Sequence, residues 1–387
     1  MPSNALVMKV IAPICLLLIF GLFGSSCRKD DAIGSSDVAW KQFLNLPDNP
    51  FNYSNPSLPD FFQNQFVQIQ DNTPATNPVT NWGSTLGRVL FYDKQLSLNN
   101  TIACASCHIQ AFGFTDTAQF SRGFDGGLTS RHSMALVNAK YYKNGRFFWD
   151  ERAATLEEQV LMPIQDPVEM GMTLDKVVSR LNNSPYYPAL FEKAFGSKNI
   201  SADKVAKALA QFVRSLVSYQ SKYDIGRSLV DNQLTDFPNF DASENNGKRI
   251  FMLHPKIACF GCHNTDVFIA DNPRNNGNLF ENIDQGIFVH TQQNMDIGKF
   301  KAPSLKNVSL RGRYMHSGQI KGIDEVIAFY NSEIQPNANL DLHLKGLNGF
   351  PLQMNLSATE KIALKAFLET LTDHVLIKDE KFSNPFK

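Results

Sequence analysis

The sequence contains two C-x-x-C-H motifs, CASCH at residues 104–108 and CFGCH at residues 259–263. Two thiols at this spacing can each add to one vinyl group of a porphyrin, and the adjacent histidine then lies under the ring and ligates iron. A single motif would also suit a thiol redox pair or half a zinc site. Two motifs favour covalent haem c. The predicted attachment and iron-binding residues are Cys104, Cys107 and His108, and Cys259, Cys262 and His263.

The N-terminus has the features of an export signal. Lys9 precedes an apolar run at 10–23, small residues follow, and Cys27 then resembles the lipobox cysteine of bacterial lipoproteins. The run is too short and too interrupted by proline to predict a membrane span. We expect residues 1–27 to be a signal peptide and the protein to be periplasmic, anchored to a membrane by lipid on Cys27. Gly24 stands where leucine is usual, so simple secretion is the alternative.

The chain has six cysteines, and this interpretation uses all of them. Cys15 leaves with the signal, Cys27 takes lipid, and the other four bind haem, so no thiol remains for a disulfide. An exported protein whose thiols are all committed in this way is hard to explain as a zinc protein.

Length and charge set further limits. A chain of 387 residues can form two or three domains, each with its own core. The 37 Lys and Arg balance the 37 Asp and Glu, so the charge suggests neither nucleic acid nor an anionic surface as partner. The 30 phenylalanines suit ordinary cores and also flat apolar walls around two macrocycles.

Helix signals dominate the chain, and almost nothing suggests strands, so we predict a mainly α fold. Apolar residues recur at helical spacing around residue 86, ahead of the first motif, and again at 243–253, ahead of the second. The order helix, C-x-x-C-H, loop thus repeats over a domain-sized distance. The predicted helix N-caps are Thr155, Thr173, Ser201 and Ser357, the last in a capping box with Glu360.

Further motifs accompany the two cysteine pairs. LGRVLFYDKQLS precedes the first, FFWDERAATLEEQ and PIQDPVEMG follow it, and APSLKN and YMHSG follow the second. From about residue 86 to 331 the sequence resembles the bacterial di-haem cytochrome c peroxidase and MauG family. The resemblance implies two cytochrome c-like domains, each with one covalently bound haem. We assign 28–58 to a polar tether and a loosely packed arm, 59–232 to an N-terminal peroxidatic haem domain and 233–387 to a C-terminal electron-transfer haem domain.

The resemblance also implies roles for individual residues. Trp149 would relay electrons between the haems, although a core tryptophan is the simpler alternative. Gln159 and Glu169 would face hydrogen peroxide, with Pro163 crowding the same pocket. A carboxylate there can take a proton from one peroxide oxygen and return it to the other as the O–O bond breaks. The alternative for Glu169 is that it only caps a turn.

Two positions depart from typical peroxidases of this family. Where reductively activated members carry a histidine that blocks the peroxide iron, an ungapped alignment of residues 121–131 places Phe124, which cannot ligate. The second iron usually has a methionine ligand fourteen residues after the histidine of the YMHSG-type motif. From His316 this count reaches Tyr330. Tyrosinate stabilises ferric iron, whereas methionine favours the ferrous donor. Tyr330 also fits an apolar helix stripe, so a core role is the alternative.

The inter-haem calcium of the family is doubtful in this chain. The resemblance places His132, Arg311 and Arg313 at its ligand positions. Cationic side chains repel a hard cation and offer it no oxygen ligand. An arginine could supply the positive charge instead.

Three functions remain open from the sequence. The leading hypothesis is a peroxidase that reduces hydrogen peroxide with electrons from a small periplasmic donor such as cytochrome c, passed through the second haem and Trp149. The second is a MauG-like oxidase acting on a partner protein or an organic substrate. The third is a non-enzymatic electron carrier, which would want both irons six-coordinate. No nucleic acid partner is expected, and pairing of two chains into a homodimer is left open.

Overall fold

The computed structural model describes residues 40–278 and 284–387. The predicted signal peptide, Cys27 and the first part of the predicted tether lie outside these residues. The described chain is helical, and its only β-structure consists of isolated bridges. The mainly α prediction is therefore confirmed. Within the described residues, no helix has the length and apolarity that crossing a membrane requires.

Thirteen α-helices occur in the described residues, several of them a single turn long. They are α1 Gln65–Gln68, α2 Asn81–Tyr92, α3 Cys104–Cys107, α4 Leu156–Gln159, α5 Met162–Gln165, α6 Leu174–Asn182, α7 Tyr187–Phe195, α8 Ala202–Ser215, α9 Lys222–Arg227, α10 Ala242–Leu253, α11 Phe288–Thr291, α12 Gly322–Ala328 and α13 Ala358–Glu369. A π-helical turn, Phe329–Glu333, continues α12.

The predicted caps place the helix starts correctly. The side chains of Thr155, Thr173 and Ser201 accept hydrogen bonds from the first turns of α4, α6 and α8. Ser357 and Glu360 form the predicted capping box of α13. Each cap satisfies a backbone N–H that has no partner within the helix, which is why these residues define where a helix begins. The helix predicted from residue 243 begins one residue earlier, after the cap Asp241.

Two long helix pairs form the centres of two hydrophobic cores. Helix α2 packs on α8, and α10 packs on α13. A glycine allows each close approach: a Cβ on Gly87 would lie 2.0 Å from the carbonyl oxygen of Ala208, and one on Gly247 would lie 1.9 Å from that of Ala363. The backbones therefore meet directly, with no room for a side chain.

The same local pattern occurs after each motif. Asn138 and Asn307 have left-handed backbones with φ of 61° and 60°, and each precedes a short 3₁₀ turn. Further on, Phe148 and Met315 have φ of 69° and 64° inside turns closed by isolated bridges. The repeat seen in the sequence thus extends to backbone conformation, which links positions whose residue types differ.

Both ends of the described chain pack on the first core. Trp40, Leu44 and Tyr53 are buried there, so residues 40–58 are not the loosely packed arm that the polar composition predicted. Their few apolar side chains anchor the segment, and the Tyr53 hydroxyl donates to the Lys381 carbonyl at 2.5 Å. Near the C-terminus, Phe382 also packs into the first core. The boundary at residues 232 and 233 stays a prediction.

We expect Gly87→Ala to destabilise the protein, because the added methyl group would collide with the Ala208 carbonyl and push α2 away from α8. Overpacking of this kind costs about 1–3 kcal/mol. Chemical denaturation of the haem-loaded protein measures the loss. Gly127→Ala is the control, since its Cβ would approach only the Val168 side chain, at 3.2 Å. Equal stability of Gly87→Ala and Gly127→Ala would contradict the proposed contact.

Candidate functional site

A cavity opens beside the first C-x-x-C-H motif and is called the first cavity. Cys104, Cys107 and His108 line it together with Gln159, Pro163 and Glu169. The structure therefore brings together residues that the sequence separates by up to 65 positions. Most of the other lining side chains are apolar, and they are Phe91, Ile102, Ala103, Leu136, Val160, Met170, Leu209 and Val213.

His108 is held as a neutral imidazole. Its Nδ1 lies 3.2 Å from the carbonyl oxygen of Phe114, whose own φ is 60°. Burial lowers the pKa of His108 to about 4, with the Phe114 carbonyl opposing the shift. The imidazole is thus uncharged at neutral pH, and a hydrogen bond on Nδ1 leaves Nε2 to bind a metal.

Glu169 lies between the first cavity and an adjoining pocket, which we call the entry pocket. Pro163 and Glu169 line both. This entry pocket has a volume of about 300 Å³, and its other lining residues are Phe148, Arg152, Met162, Gln165 and Asp166. Burial raises the pKa of Glu169 to about 7, and Asp166 raises it further while Arg152 opposes the shift. A carboxyl group with this pKa can both accept and donate a proton near neutral pH.

Phe124 packs on Gly171, where its ring would contact any added Cβ at 2.4 Å. The loop of residues 121–131 contributes Arg122, Gly123 and Thr129 to the first cavity. Among the residues that line this cavity in the described part of the chain, His108 is the only histidine.

The second cavity surrounds the second motif. Cys259, Cys262 and His263 line it, and burial lowers the pKa of His263 to about 4, with the Phe268 carbonyl opposing. Its apolar wall repeats that of the first cavity at corresponding helix positions. Phe91, four residues after Gly87, corresponds to Phe251, four residues after Gly247. On the facing helices, Leu209 and Val213 correspond to Leu364 and Leu368.

Tyr330 also lines the second cavity, in the π-helical turn. Such turns are rare in proteins as a whole, and those that occur are often at functional sites. Its hydroxyl accepts a hydrogen bond from Asn276 at 3.1 Å, and burial raises its pKa. Tyr330 follows His316 by fourteen residues, as Pro163 follows Trp149. The repeat therefore pairs a residue that cannot ligate, in the first cavity, with one that can, in the second.

Trp149 lies at the wall between the cavities. Its indole Nε1 donates to the carbonyl of His132 at 2.7 Å, and the next residue, Ser133, lines both cavities. Its ring meets that of His316 edge to face, with centroids 6.5 Å apart. The two residues at corresponding positions of the repeat are thus neighbours.

A charged cluster around Trp149 was not predicted. Arg131 pairs with Asp150 at 2.6 Å and with Asp284 at 2.7 Å. Burial opposes ionisation of Asp150, yet Arg131 and Arg152 hold its pKa below the usual range. Phe300 stacks on His316 with ring centroids 3.7 Å apart. In the sequence, only Asp150 of the FFWD motif points to this cluster. The cluster could not be predicted, because its other members come from distant segments.

The residues that the resemblance matches to the family's calcium ligands do not form a site for a cation. The Arg311 guanidinium donates to the carbonyls of Ser304 at 2.6 Å and Lys306 at 3.1 Å, and no described carboxylate pairs with it. Burial lowers the pKa of Arg311 to about 10, so the side chain remains a cation. The Nδ1 of His132 lies 3.0 Å from the Ala118 carbonyl. Carbonyl oxygens near Arg311 already have a positive partner, which a calcium ion would have to displace.

The four motif cysteines lie in two pairs, one in each cavity. None is in a disulfide. Burial raises the pKa of Cys104 and Cys259 to about 12 and that of Cys107 and Cys262 to about 11, so the thiols are protonated. Each pair lines an apolar cavity beside a neutral histidine, which is the donor set of a haem c site.

Comparison with known proteins defines the class. The family model for the di-haem cytochrome c peroxidase matches residues 82–228. The methylamine utilization protein MauG of Methylophilus methylotrophus is 32% identical over 298 residues, covering 77% of this chain and 84% of that protein. The chain therefore belongs to the di-haem cytochrome c peroxidase family. It is an oxidoreductase of a family that holds two haem groups.

Two further relatives are informative. Cytochrome c551 peroxidase of Pseudomonas aeruginosa is 31% identical over 278 residues, covering 69% of this chain and 75% of that protein. A crystal structure of a MauG-like protein associated with microbial copper homeostasis matches with a TM-score of 0.72 and 30% identity, covering 87% of this chain and 99% of that one. The chain thus resembles peroxidases and MauG proteins to a similar degree.

We expect the haem-loaded protein to be independent of calcium, because Arg311 holds a positive charge where the metal would bind. Chelation by EDTA and addition of calcium should leave its visible spectrum and unfolding temperature unchanged. In Arg311→Gln the charge is lost, and we expect a lower unfolding temperature that calcium partly restores. A spectrum of the unchanged protein that responds to EDTA and recovers with calcium would contradict this.

Proposed function

We propose that the protein is a di-haem peroxidase, which reduces hydrogen peroxide to two water molecules with two electrons and two protons. The observation that carries the proposal is the convergence of Gln159, Pro163 and Glu169 on the cavity of His108. In this proposal each motif binds one haem covalently, and the N-terminal export signal sends the protein to the periplasm. The haem irons, when bound, supply the redox chemistry.

Glu169 is the proton carrier in this proposal. Its pKa of about 7 allows the carboxylate to accept a proton from one oxygen of hydrogen peroxide and to donate it to the other, so that a neutral water molecule leaves. Gln159 can hold the peroxide by a hydrogen bond. The entry pocket on the far side of Glu169 offers a path for peroxide and for protons from solvent.

Trp149 is the proposed relay between the two sites. Its indole is fixed by the His132 carbonyl at the wall that both cavities share. The negative charge of Asp150, which follows it directly, favours a transient positive charge on the ring. Arg131 partly compensates that charge, since it pairs with Asp150 at 2.6 Å.

Electrons would enter at the second cavity from a small redox protein. A loop beside this motif exposes three large apolar residues, Leu342, Leu347 and Phe350, which are 82%, 111% and 64% exposed. His343 of the same loop lies against Gly261, inside the motif. Large exposed apolar side chains that cluster at one place indicate an interaction surface.

A MauG-like oxidase is the second candidate, and Tyr330 favours it. A tyrosine in the second cavity at the position of the expected methionine would stabilise ferric iron and disfavour the ferrous donor state. The 32% identity to a MauG protein is consistent with this alternative. The third candidate, an electron carrier, is not favoured. A carrier would want two protein ligands on each iron, and within the described chain His108 is the only histidine that lines the first cavity.

The peroxidase proposal predicts that the fully ferric protein reacts with peroxide without prior reduction. We expect Glu169→Gln to retain both haems and to react about 10²-fold or more slowly, because the amide cannot carry a proton. In the unchanged protein the rate should rise with pH through about 7, where Glu169 becomes a base. Stopped-flow spectroscopy over a range of pH measures both effects.

Glu158→Gln is the control, because Glu158 is exposed and its Oε2 only accepts a hydrogen bond from Ala154, which glutamine preserves. Its peroxide kinetics should match those of the unchanged protein. Peroxide kinetics in Glu169→Gln equal to those of this control would remove the proton-transfer role. A ferric protein that reacts only after reduction would show that another group blocks the first iron.

We expect Tyr330→Met to raise the midpoint potential of one haem and to leave the other nearly unchanged, because a thioether stabilises ferrous iron and a phenolate does not. Spectroelectrochemical titration measures both potentials. Tyr314→Phe is the control, since Tyr314 lines the same cavity but its hydroxyl donates to the Val308 carbonyl at 2.9 Å. If Tyr330→Met shifts neither potential, Tyr330 is a core residue.

A further inference from the structure

Outside the two cavities, two tyrosines share one buried carboxylate. The Tyr187 hydroxyl donates to Oδ2 of Asp93 at 2.6 Å, and the Tyr186 hydroxyl lies 3.4 Å from the same atom. The two rings are 4.7 Å apart. Tyr187 is 0% exposed, Tyr186 4% and Asp93 3%. Oxidation of a phenol releases its proton, because the oxidised form is a far stronger acid. A hydrogen-bonded carboxylate is therefore the partner that such an oxidation requires.

The inner end of this group lies near the first motif. Tyr187 begins helix α7, which packs on α2, and its ring belongs to the same core that Cys104 packs against. Burial raises the pKa of Tyr187 well above its usual value, and the Asp93 carboxylate raises it further. The phenol therefore stays protonated at neutral pH.

The outer end opens into a surface groove of about 830 Å³. Tyr186 and Asp93 line it, and so do the exposed side chains of Lys94 and Gln42. Phe43 and Phe386 pack against the Tyr186 ring at 5.6 and 6.4 Å. Most of the other lining residues are polar. A concave site with aromatic edges and many hydrogen-bonding groups suits a small aromatic ligand that carries hydroxyl groups.

We propose that Tyr187, Asp93 and Tyr186 form a redox relay from the first haem to an electron-rich phenol or hydroquinone bound in this groove. The relay rests on the proposed peroxidase function, since its oxidant is the first haem after hydrogen peroxide has withdrawn electrons from it. Electrons from this reductant would reach the first haem without passing through the second haem.

Each turn of the relay balances in electrons and protons. Tyr187 gives one electron to the oxidised haem and its phenolic proton to Asp93. Tyr186 then gives one electron to Tyr187, which regains a proton from Asp93, while the Tyr186 proton moves to Asp93. A hydroquinone in the groove finally gives one electron to Tyr186, Asp93 returns the proton, and the hydroquinone releases its own proton to solvent.

A purely structural role for Asp93 makes different predictions. Its side chain also caps the Lys94–Leu96 turn by accepting a hydrogen bond from the Gln95 N–H at 2.8 Å. Asparagine can keep this cap but cannot take a proton from a phenol. Asp93→Asn thus separates the cap from the relay.

The test adds hydrogen peroxide to the ferric, haem-loaded protein in the presence of a nitroso spin trap, and mass spectrometry then locates the adducts. We expect an adduct on Tyr186 that is lost in Tyr187→Phe and in Asp93→Asn. With hydroquinone in place of the trap, we expect both variants to oxidise it about 10²-fold more slowly. Tyr223→Phe is the control, because Tyr223 is also fully buried and its hydroxyl donates to a carboxylate, Oδ1 of Asp266 at 2.8 Å, but it lies in the core around α10 and α13.

The outcomes separate the relay from the function on which it rests. A Tyr186 adduct and a hydroquinone rate that are unchanged in Tyr187→Phe overturn the relay, as does a protein that consumes peroxide at full rate without forming any tyrosine adduct. Equal losses in Tyr223→Phe and Tyr187→Phe would mean that removing any buried phenol disturbs the protein, and they also overturn the relay. A ferric protein that consumes no peroxide overturns the proposed function and removes the oxidant of the relay.

Discussion

The close contact between paired helices is the constraint on which both cavities depend. Gly87 lets α2 meet α8 at backbone distance, and Gly247 does the same for α10 and α13. One helical turn after each glycine, an aromatic side chain forms part of a cavity wall: Phe91 in the first cavity and Phe251 in the second. Because helices are stiff, a small displacement at the glycine moves the whole wall, so packing of the core and shape of the site are one property.

On this repeated frame, the two halves differ at a few positions that decide their chemistry. The same fourteen-residue step leads from Trp149 to Pro163 in one half and from His316 to Tyr330 in the other. Proline leaves the first cavity without a ligand at that position, whereas a phenol hydroxyl is available in the second. The two cavities thus differ in whether this position offers an atom that could bind iron.

Charge is organised around the place where the halves meet. Arg131, Asp150 and Asp284 form a paired cluster beside Trp149, while Arg311 is a cation that only carbonyl oxygens accompany. Buried charge without a carboxylate partner is costly, and its cost falls when an anion is bound nearby.

The helical class, the N-caps Thr155, Thr173 and Ser201 and the two C-x-x-C-H motifs can be read from the sequence alone, because caps and motifs depend on residues a few positions apart. It also pointed to Gln159 and Glu169 through family resemblance. Three features become visible only in the folded chain: these side chains share a cavity with His108, residues 40–58 are anchored, and Arg131 reaches Asp284. Those contacts join segments far apart in the chain, and which segments meet follows from the packing of whole helices rather than from any local pattern.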